Sequence, residues 1–222
     1  MNKNFIEFLT NCGAVTRGNF TLKNGTKSDI FINIGNICSG RNLLQLGKHY
    51  AQFISFENVY LCSNLRSNLW DNIDVLYGPA YKGITIAVAT SIALFTRNGL
   101  SLPFAYNRKE EKTHGEKGSY VGYDLSKVKT VLMLDDVITD GTTKKEQADK
   151  LCEDFPNIQQ IYVLVGVDRR DEIARAEHPV FSLATLDDIR TVTNATKTFS
   201  FKGDDNKDVK QYYREEKQTS SN

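Results

Sequence analysis

Residues 131–143 read VLMLDDVITDGTT, and the fold is decided here. Val131 to Leu134 is a continuous apolar run, the pattern of a central strand in a parallel sheet covered on both faces. It ends in two acids, Asp135 and Asp136, followed by a turn holding Thr139, Asp140, Gly141, Thr142 and Thr143 and then a helix-compatible stretch to Phe155. In an open parallel sheet, ligands bind at the carboxyl ends of the strands. Backbone N–H groups of a Gly- and Thr-containing turn that feeds a helix N-terminus cradle a phosphate, and the threonine hydroxyls add donors. Adjacent carboxylates cannot bind that phosphate, but they can hold ribose hydroxyls or stabilise a cationic transition state. Each feature taken singly fits a strand whose polar turn caps a helix; together they have few purely structural uses. GxxxxGK[ST] and GxGxxG are both absent, so nucleotide hydrolysis and hydride transfer lose support.

Outward from this strand, short β-branched or aromatic runs at 73–77, 104–106 and 158–167 alternate with helical patterns at 43–56 and 83–97. Strands alternating with helices predict an α/β fold. Phe5, Phe8, Leu9 and Cys12 form a helical stripe that ends at Gly13. Residues 20–23 and 28–32 flank Asn24-Gly25, which predicts a hairpin outside the main sheet. Residues 108–118, RKEEKTHGEKG, carry no apolar side chain to anchor them, so a mobile loop is predicted. From Gly203 the chain is strongly polar, with Val209, Tyr212 and Tyr213 as one narrow stripe, which predicts a terminal helix with a frayed end.

The 222 residues carry 28 Lys+Arg against 27 Asp+Glu, a net charge of +1, with 40% apolar residues. One domain of this size buries a sufficient core without disulfides or metal staples. Near-neutrality removes the global attraction on which sequence-independent nucleic-acid or anionic-membrane binding relies, so anion recognition must be local. Cys12, Cys38, Cys62 and Cys152 are scattered without metal-ligand spacing and read as free thiols. His49, His178 and Trp70 read as structural. The first nine residues alternate polar with apolar side chains, so neither a signal peptide nor an anchor is predicted, and a cytoplasmic location is expected.

Five ordered segments carry a family resemblance. VLMLDDVITDGTT resembles the phosphoribosyl-pyrophosphate (PRPP) motif of the type I phosphoribosyltransferases. FTLKNG at 20–25 with SDIFIN at 28–33 is similar to the N-terminal hood of the orotate phosphoribosyltransferases. GPAYKGI at 78–84 resembles their strand-to-helix turn, YNRKEEKTHGE at 106–116 their catalytic loop, and VDRR at 167–170 supplies the fifth match. The loop, turn and hood are more specific than the PRPP motif, which purine and uracil enzymes share.

The resemblance implies the type I phosphoribosyltransferase fold: a central, mostly parallel sheet flanked by helices, with a small N-terminal hood hairpin. It implies a single domain, with the hood over residues 1–40, the PRPP-binding core over 41–190 and a C-terminal helix and tail over 191–222. The implied reaction is Mg²⁺-dependent transfer of the 5-phosphoribosyl group from PRPP to orotate, giving orotidine 5′-monophosphate and pyrophosphate, a step of pyrimidine nucleotide synthesis. Cleavage leaves negative charge on the diphosphate and oxocarbenium character on the sugar, so cations are needed on one side and anions on the other. By the family pattern Lys109, Lys112 and His114 are the catalytic cations, and Asp135 and Asp136 the catalytic acids. PRPP is contacted by Tyr81, Lys82, Arg108 and these five residues, and by Val137, Ile138, Thr139, Asp140, Gly141, Thr142 and Thr143. Orotate is assigned to Lys23, Phe31, Ile32, Thr139 and Arg169, with Arg170 ranked below Arg169 because neighbours on a strand end point apart. Mg²⁺ is expected to be held by PRPP phosphates and ribose hydroxyls, with no protein ligand named. The resemblance also implies a homodimer in which the charged loop of one subunit completes the neighbour's site, and neither a nucleic-acid nor a membrane partner.

Three positions depart from the family pattern. Asp140 replaces a small residue in the phosphate turn and is expected to face solvent. Ile32 stands where a second aromatic commonly follows Phe31, and Lys117 interrupts the glycines that end the loop. A purine-specific phosphoribosyltransferase and a PRPP-sensing regulator that binds nucleic acid are the competing readings. The absence of a Lys/Arg block and the retained loop cations argue against the second.

Overall fold

The computed structural model describes residues 1–21, 25, 27–56, 72–112, 118–170 and 178–196. Met1–Val192 forms one compact unit; of a second, Thr193–Asn222, the described residues are 193–196, a helical end. Lys23, His114, Lys117, Cys62, Trp70 and the helix expected after Gly203 lie outside the described residues.

Helix α1 (Lys3–Asn11) starts where the Asn2 side chain accepts from the Phe5 N–H at 3.2 Å, and it buries Phe5, Ile6 and Leu9. Strands β1 (Val15–Thr21) and β2 (Lys27–Ile32) pair antiparallel in a separate two-stranded sheet, as the Asn24-Gly25 signal predicts. Strict alternation along β2 buries Ser28, Ile30 and Ile32 and exposes Lys27, Asp29 and Phe31.

Then follow α2 (Gly40–Phe56), β3 (Val75–Tyr77), α3 (Lys82–Asn98), β4 (Phe104–Lys112), β5 (Gly118–Gly122), β6 (Thr130–Ile138), α4 (Thr142–Asp154), β7 (Gln160–Asp168), β8 (Val180–Thr185) and α5 (Leu186–Thr196). The main sheet runs β5-β4-β3-β6-β7-β8, parallel at every pairing except β4 with β5. Alternate residues of β6 face opposite sides. Leu132 and Leu134 join the core beneath α2 and α3, whereas Val131 and Met133 join the one that includes Ala148 and Leu151 of α4. Helices on both faces explain the unbroken apolar run. Among the described residues no helix is long and apolar enough to cross a membrane.

One expectation is corrected, and two elements escape the sequence reading. Residues 108–112 are not loop: β4 continues to Lys112, and Lys112 pairs with Gly118 on β5. A strand needs only a partner for its backbone, so polar side chains do not prevent pairing at the sheet edge. Strand β8 and helix α5 escape the hydrophobic pattern because α5 is rich in threonine, a weak helix former. Its signal was instead a reciprocal cap: Asp188 N–H donates to Thr185 Oγ1 at 3.1 Å, and Thr185 N–H donates to Asp188 Oδ2 at 3.0 Å.

Candidate active site

The chain winds outward through β3, β4 and β5, then returns to place β6 on the other side of β3. The winding therefore reverses between β3 and β6, and a crevice opens at the carboxyl ends of these two strands. The turn after β3, residues 78–82, and the acids near the end of β6 meet there. Lys82 Nζ donates to Asp136 Oδ2 at 2.7 Å.

The two acids are held differently. Asp135 is buried, with Oδ1 accepting from the Asp136 N–H at 2.8 Å and Oδ2 paired with Lys144 Nζ. Its carbonyl accepts from the fully buried Tyr50 hydroxyl at 2.7 Å. Burial raises the Asp135 carboxyl above its ordinary value; Lys144 opposes that shift and the Asp136 charge adds to it. Burial likewise pushes the Tyr50 hydroxyl well up, which keeps it a donor. Asp136 is half-buried and its Oδ1 accepts from the Val137 N–H at 2.8 Å. Gly166 on β7 gives this arrangement room, because a Cβ there would lie 2.9 Å from both the Asp136 carbonyl oxygen and the Tyr50 hydroxyl.

Beyond the acids, Gly141 adopts φ +90°, which favours glycine, and α4 begins directly after it. The first hydrogen bond of that helix runs from Lys145 N to Gly141 O, so the N–H groups of its first turn have no acceptor within the helix. Thr139, Thr142 and Thr143 are exposed around this turn. Asp140 is exposed as well, as expected, but its carboxylate is turned onto the helix start: Oδ1 accepts from the Thr142 N–H at 2.9 Å and so occupies one of the first-turn donors. The Ile138 side chain is buried in the core and its carbonyl accepts from the Arg169 N–H at 2.9 Å, while Val137 is half-buried.

The charged hairpin contributes from the other side. Asn107 Oδ1 on β4 accepts from the Ala80 N–H at 2.9 Å, and Lys109 Nζ sits 4.6 Å from the centre of the exposed Tyr81 ring. The structure thus brings Tyr81, Lys82, Lys109, Asp135 and Asp136 to one crevice. Arg108 is half-buried on the same strand, and Lys112 ends that strand.

The β1–β2 ribbon reaches the same end of the sheet through Arg169, whose Nη2 donates to Ser28 Oγ at 3.0 Å. Burial and the nearby Arg190 cation lower the Arg169 guanidinium from its ordinary value. Arg170 diverges, forming a two-pronged pair with Asp168 at 3.0 and 2.7 Å. Phe31 is exposed and stacks against Phe20 with ring centres 5.4 Å apart. Ile32 is a correction: strand alternation sends its side chain into the core, on the opposite face of β2 from Phe31. Sequence reasoning missed Tyr50, Asn107, Ser28 and Lys144. Tyr50, Asn107 and Ser28 reach the site across long stretches of chain, with no local signal; Lys144 was legible only as a lysine in the first turn of a helix, where the helix dipole disfavours a cation.

Comparison with known proteins places this fold in a family. The family described as "Phosphoribosyl transferase domain" matches residues 40–201, and the chain belongs to it. An orotate phosphoribosyltransferase of Bifidobacterium adolescentis is 36% identical over 201 residues, covering 85% of this chain and 84% of that one. One from Schizosaccharomyces pombe is 40% identical over 192 residues, covering 82% and 83%. The crystal structure of the Francisella tularensis orotate phosphoribosyltransferase superposes with a TM-score of 0.65 at 29% identity over 88% of this chain and 90% of that one. Within its family the chain falls among the orotate phosphoribosyltransferases, pentosyltransferase enzymes with the type I fold.

Proposed function

We propose that this chain transfers the 5-phosphoribosyl group of PRPP to orotate, releasing pyrophosphate and forming orotidine 5′-monophosphate for pyrimidine synthesis. The observation that carries the reading is the adjacent pair Asp135–Asp136 at a sheet switch point, with Lys82 2.7 Å from Asp136 and a Gly141 phosphate turn beyond. In this reading the 5′-phosphate displaces the Asp140 carboxylate from the Thr142 N–H and is held by the first-turn N–H groups of α4 with the hydroxyls of Thr139, Thr142 and Thr143. Asp135 and Asp136, whose carboxylates retain acceptor capacity, hold the ribose hydroxyls and offset the positive character of the sugar. Lys82, Arg108 and Lys109, with Lys112 and His114 of the charged hairpin, take the leaving diphosphate. Phe31 supplies a flat wall for the orotate ring, and Arg169, with Lys23 from the ribbon turn, meets its carboxylate.

The hard oxygens of the paired carboxylates suit a Mg²⁺ ion that arrives with the diphosphate and is held mainly by substrate oxygens, while the surrounding lysines suit the diphosphate itself. When bound, that ion offsets diphosphate charge. By resemblance the working form is a cytoplasmic homodimer whose hairpin reaches the partner's site. An absorbance assay of orotate consumption, with and without PRPP and Mg²⁺, tests the reading. Loss of orotate only when both are present is expected; turnover confined to hypoxanthine, guanine or uracil would reject it.

A further inference from the structure

The two acids of the crevice each carry a lysine, but the two pairs are built for different work. Lys82 is half-exposed and meets Asp136 from the start of α3, where a ligand can draw it away. Lys144 and Asp135 are sealed, with side-chain exposures of 12% and 11%. Lys144 lies in the first turn of α4, where the positive end of the helix dipole disfavours a cation. Its neighbour Lys145 turns outward to Asp149 at 2.8 Å, one turn along, as a surface lysine does. Lys144 turns inward instead, and its partner is a buried acid that also has Asp136 beside it.

We propose that Lys144 is a positioning residue of the PRPP site. Its ammonium compensates the buried Asp135 charge and pins that carboxylate to the base of the phosphate turn. A buried carboxylate without its counter-ion rotates toward solvent, and that change removes an acceptor from the ribose seat. Lys144 therefore couples the sugar-binding strand end to the phosphate-binding helix start: one side chain spans both. Lys82, by contrast, is the exchangeable partner, released from Asp136 when diphosphate arrives. The inference rests on the proposed PRPP site and adds to it a residue that does not itself touch substrate.

The test compares wild type, Lys144→Met and Lys144→Arg by calorimetric titration with PRPP and Mg²⁺ and by steady-state kinetics in each substrate. Lys144→Met is expected to weaken PRPP binding and raise its KM on the order of tenfold to a hundredfold, as expected of a displaced binding group. The KM for orotate should stay within roughly twofold, because uniform loss of folded enzyme lowers the apparent kcat and moves neither KM. Lys144→Arg, which keeps the charge, is expected to recover most of the PRPP affinity. A wild-type PRPP affinity in Lys144→Met, an equal rise in both KM values, or no recovery with Lys144→Arg would overturn the proposal. Should Lys144→Met not fold, Lys144→Gln, which keeps a hydrogen bond without the charge, is read in the same way. A wild-type chain that binds no PRPP would instead sink the proposed function.

Discussion

The Lys82 ammonium lies 2.7 Å from Asp136 Oδ2, joining the first residue of α3 to the second of the paired acids across 54 residues of chain. The contact exists because the winding reversal brings the ends of β3 and β6 side by side. Since the pair is open to solvent on the lysine side, it contributes little to stability, about 1 kcal/mol at most. Lys82→Ala is therefore expected to leave the melting temperature within a few degrees of wild type. If Lys82 serves the diphosphate, the same variant lowers kcat/KM for PRPP by roughly tenfold to a hundredfold. Thermal unfolding and steady-state kinetics on one preparation check both halves; a large loss of stability would contradict the open geometry.

Arg169→Lys retains the charge but loses the planar fork that spans Ser28 and the open end of the sheet. It is expected to raise the KM for orotate about tenfold while the KM for PRPP changes little. Equal KM values in variant and wild type would take Arg169 out of the base site.

Gly166→Ala places a methyl group 2.9 Å from both the Asp136 carbonyl and the Tyr50 hydroxyl, neither of which is a flexible chain end. Overpacking of this kind costs about 1–3 kcal/mol. A fall in the urea midpoint accompanied by weaker PRPP binding is expected, because the displaced groups anchor the paired acids. A variant as stable as wild type would show that the strand shifts freely at this point.

Arg170 and Asp168 are sealed together with side-chain exposures of 8% and 11%. Removing one partner leaves a buried charge uncompensated, so Arg170→Met is expected to cost about 3–5 kcal/mol in chemical denaturation. The paired change Arg170→Met with Asp168→Leu should recover much of that loss. A cost no larger for the single variant than for the double would contradict the coupling.

His49 is packed between Phe5 and Phe8, with ring centres 5.3 and 5.1 Å away, and burial pulls its imidazole down to about 4. The unfolded chain takes up this proton first, near the ordinary value of 6.5. The contribution of neutral His49 is complete above that value and is lost as pH falls from 6.5 toward 4, by on the order of 2 kcal/mol. Denaturation midpoints measured across this interval should slope downward toward acid, and His49→Gln should flatten the slope.

The apolar run before Asp135, the paired acids and the Thr/Gly turn were legible because each depends on local rules. A strand buried on both faces must be apolar throughout, a turn with positive φ needs Gly141, and a helix start offers N–H groups whatever follows. The same local rules located α1, α2, α3, α4 and the hairpin at Gly25. They failed for the charged segment after Tyr106, where pairing with β5 and not side-chain polarity makes the strand, and for α5, whose reciprocal Thr185–Asp188 cap outweighs weak propensity.

By itself, then, the sequence determined the α/β class, the carboxylates and the phosphate turn, because these are written within a dozen residues of one another. Only the tertiary structure decided which partners those groups have: Lys82 for Asp136, Lys144 for Asp135, Tyr50 for the Asp135 carbonyl, and core burial for Ile32. Such choices depend on sheet order and strand alternation, which bring distant segments within hydrogen-bond reach and turn neighbouring side chains to opposite faces. No spacing along the chain encodes them.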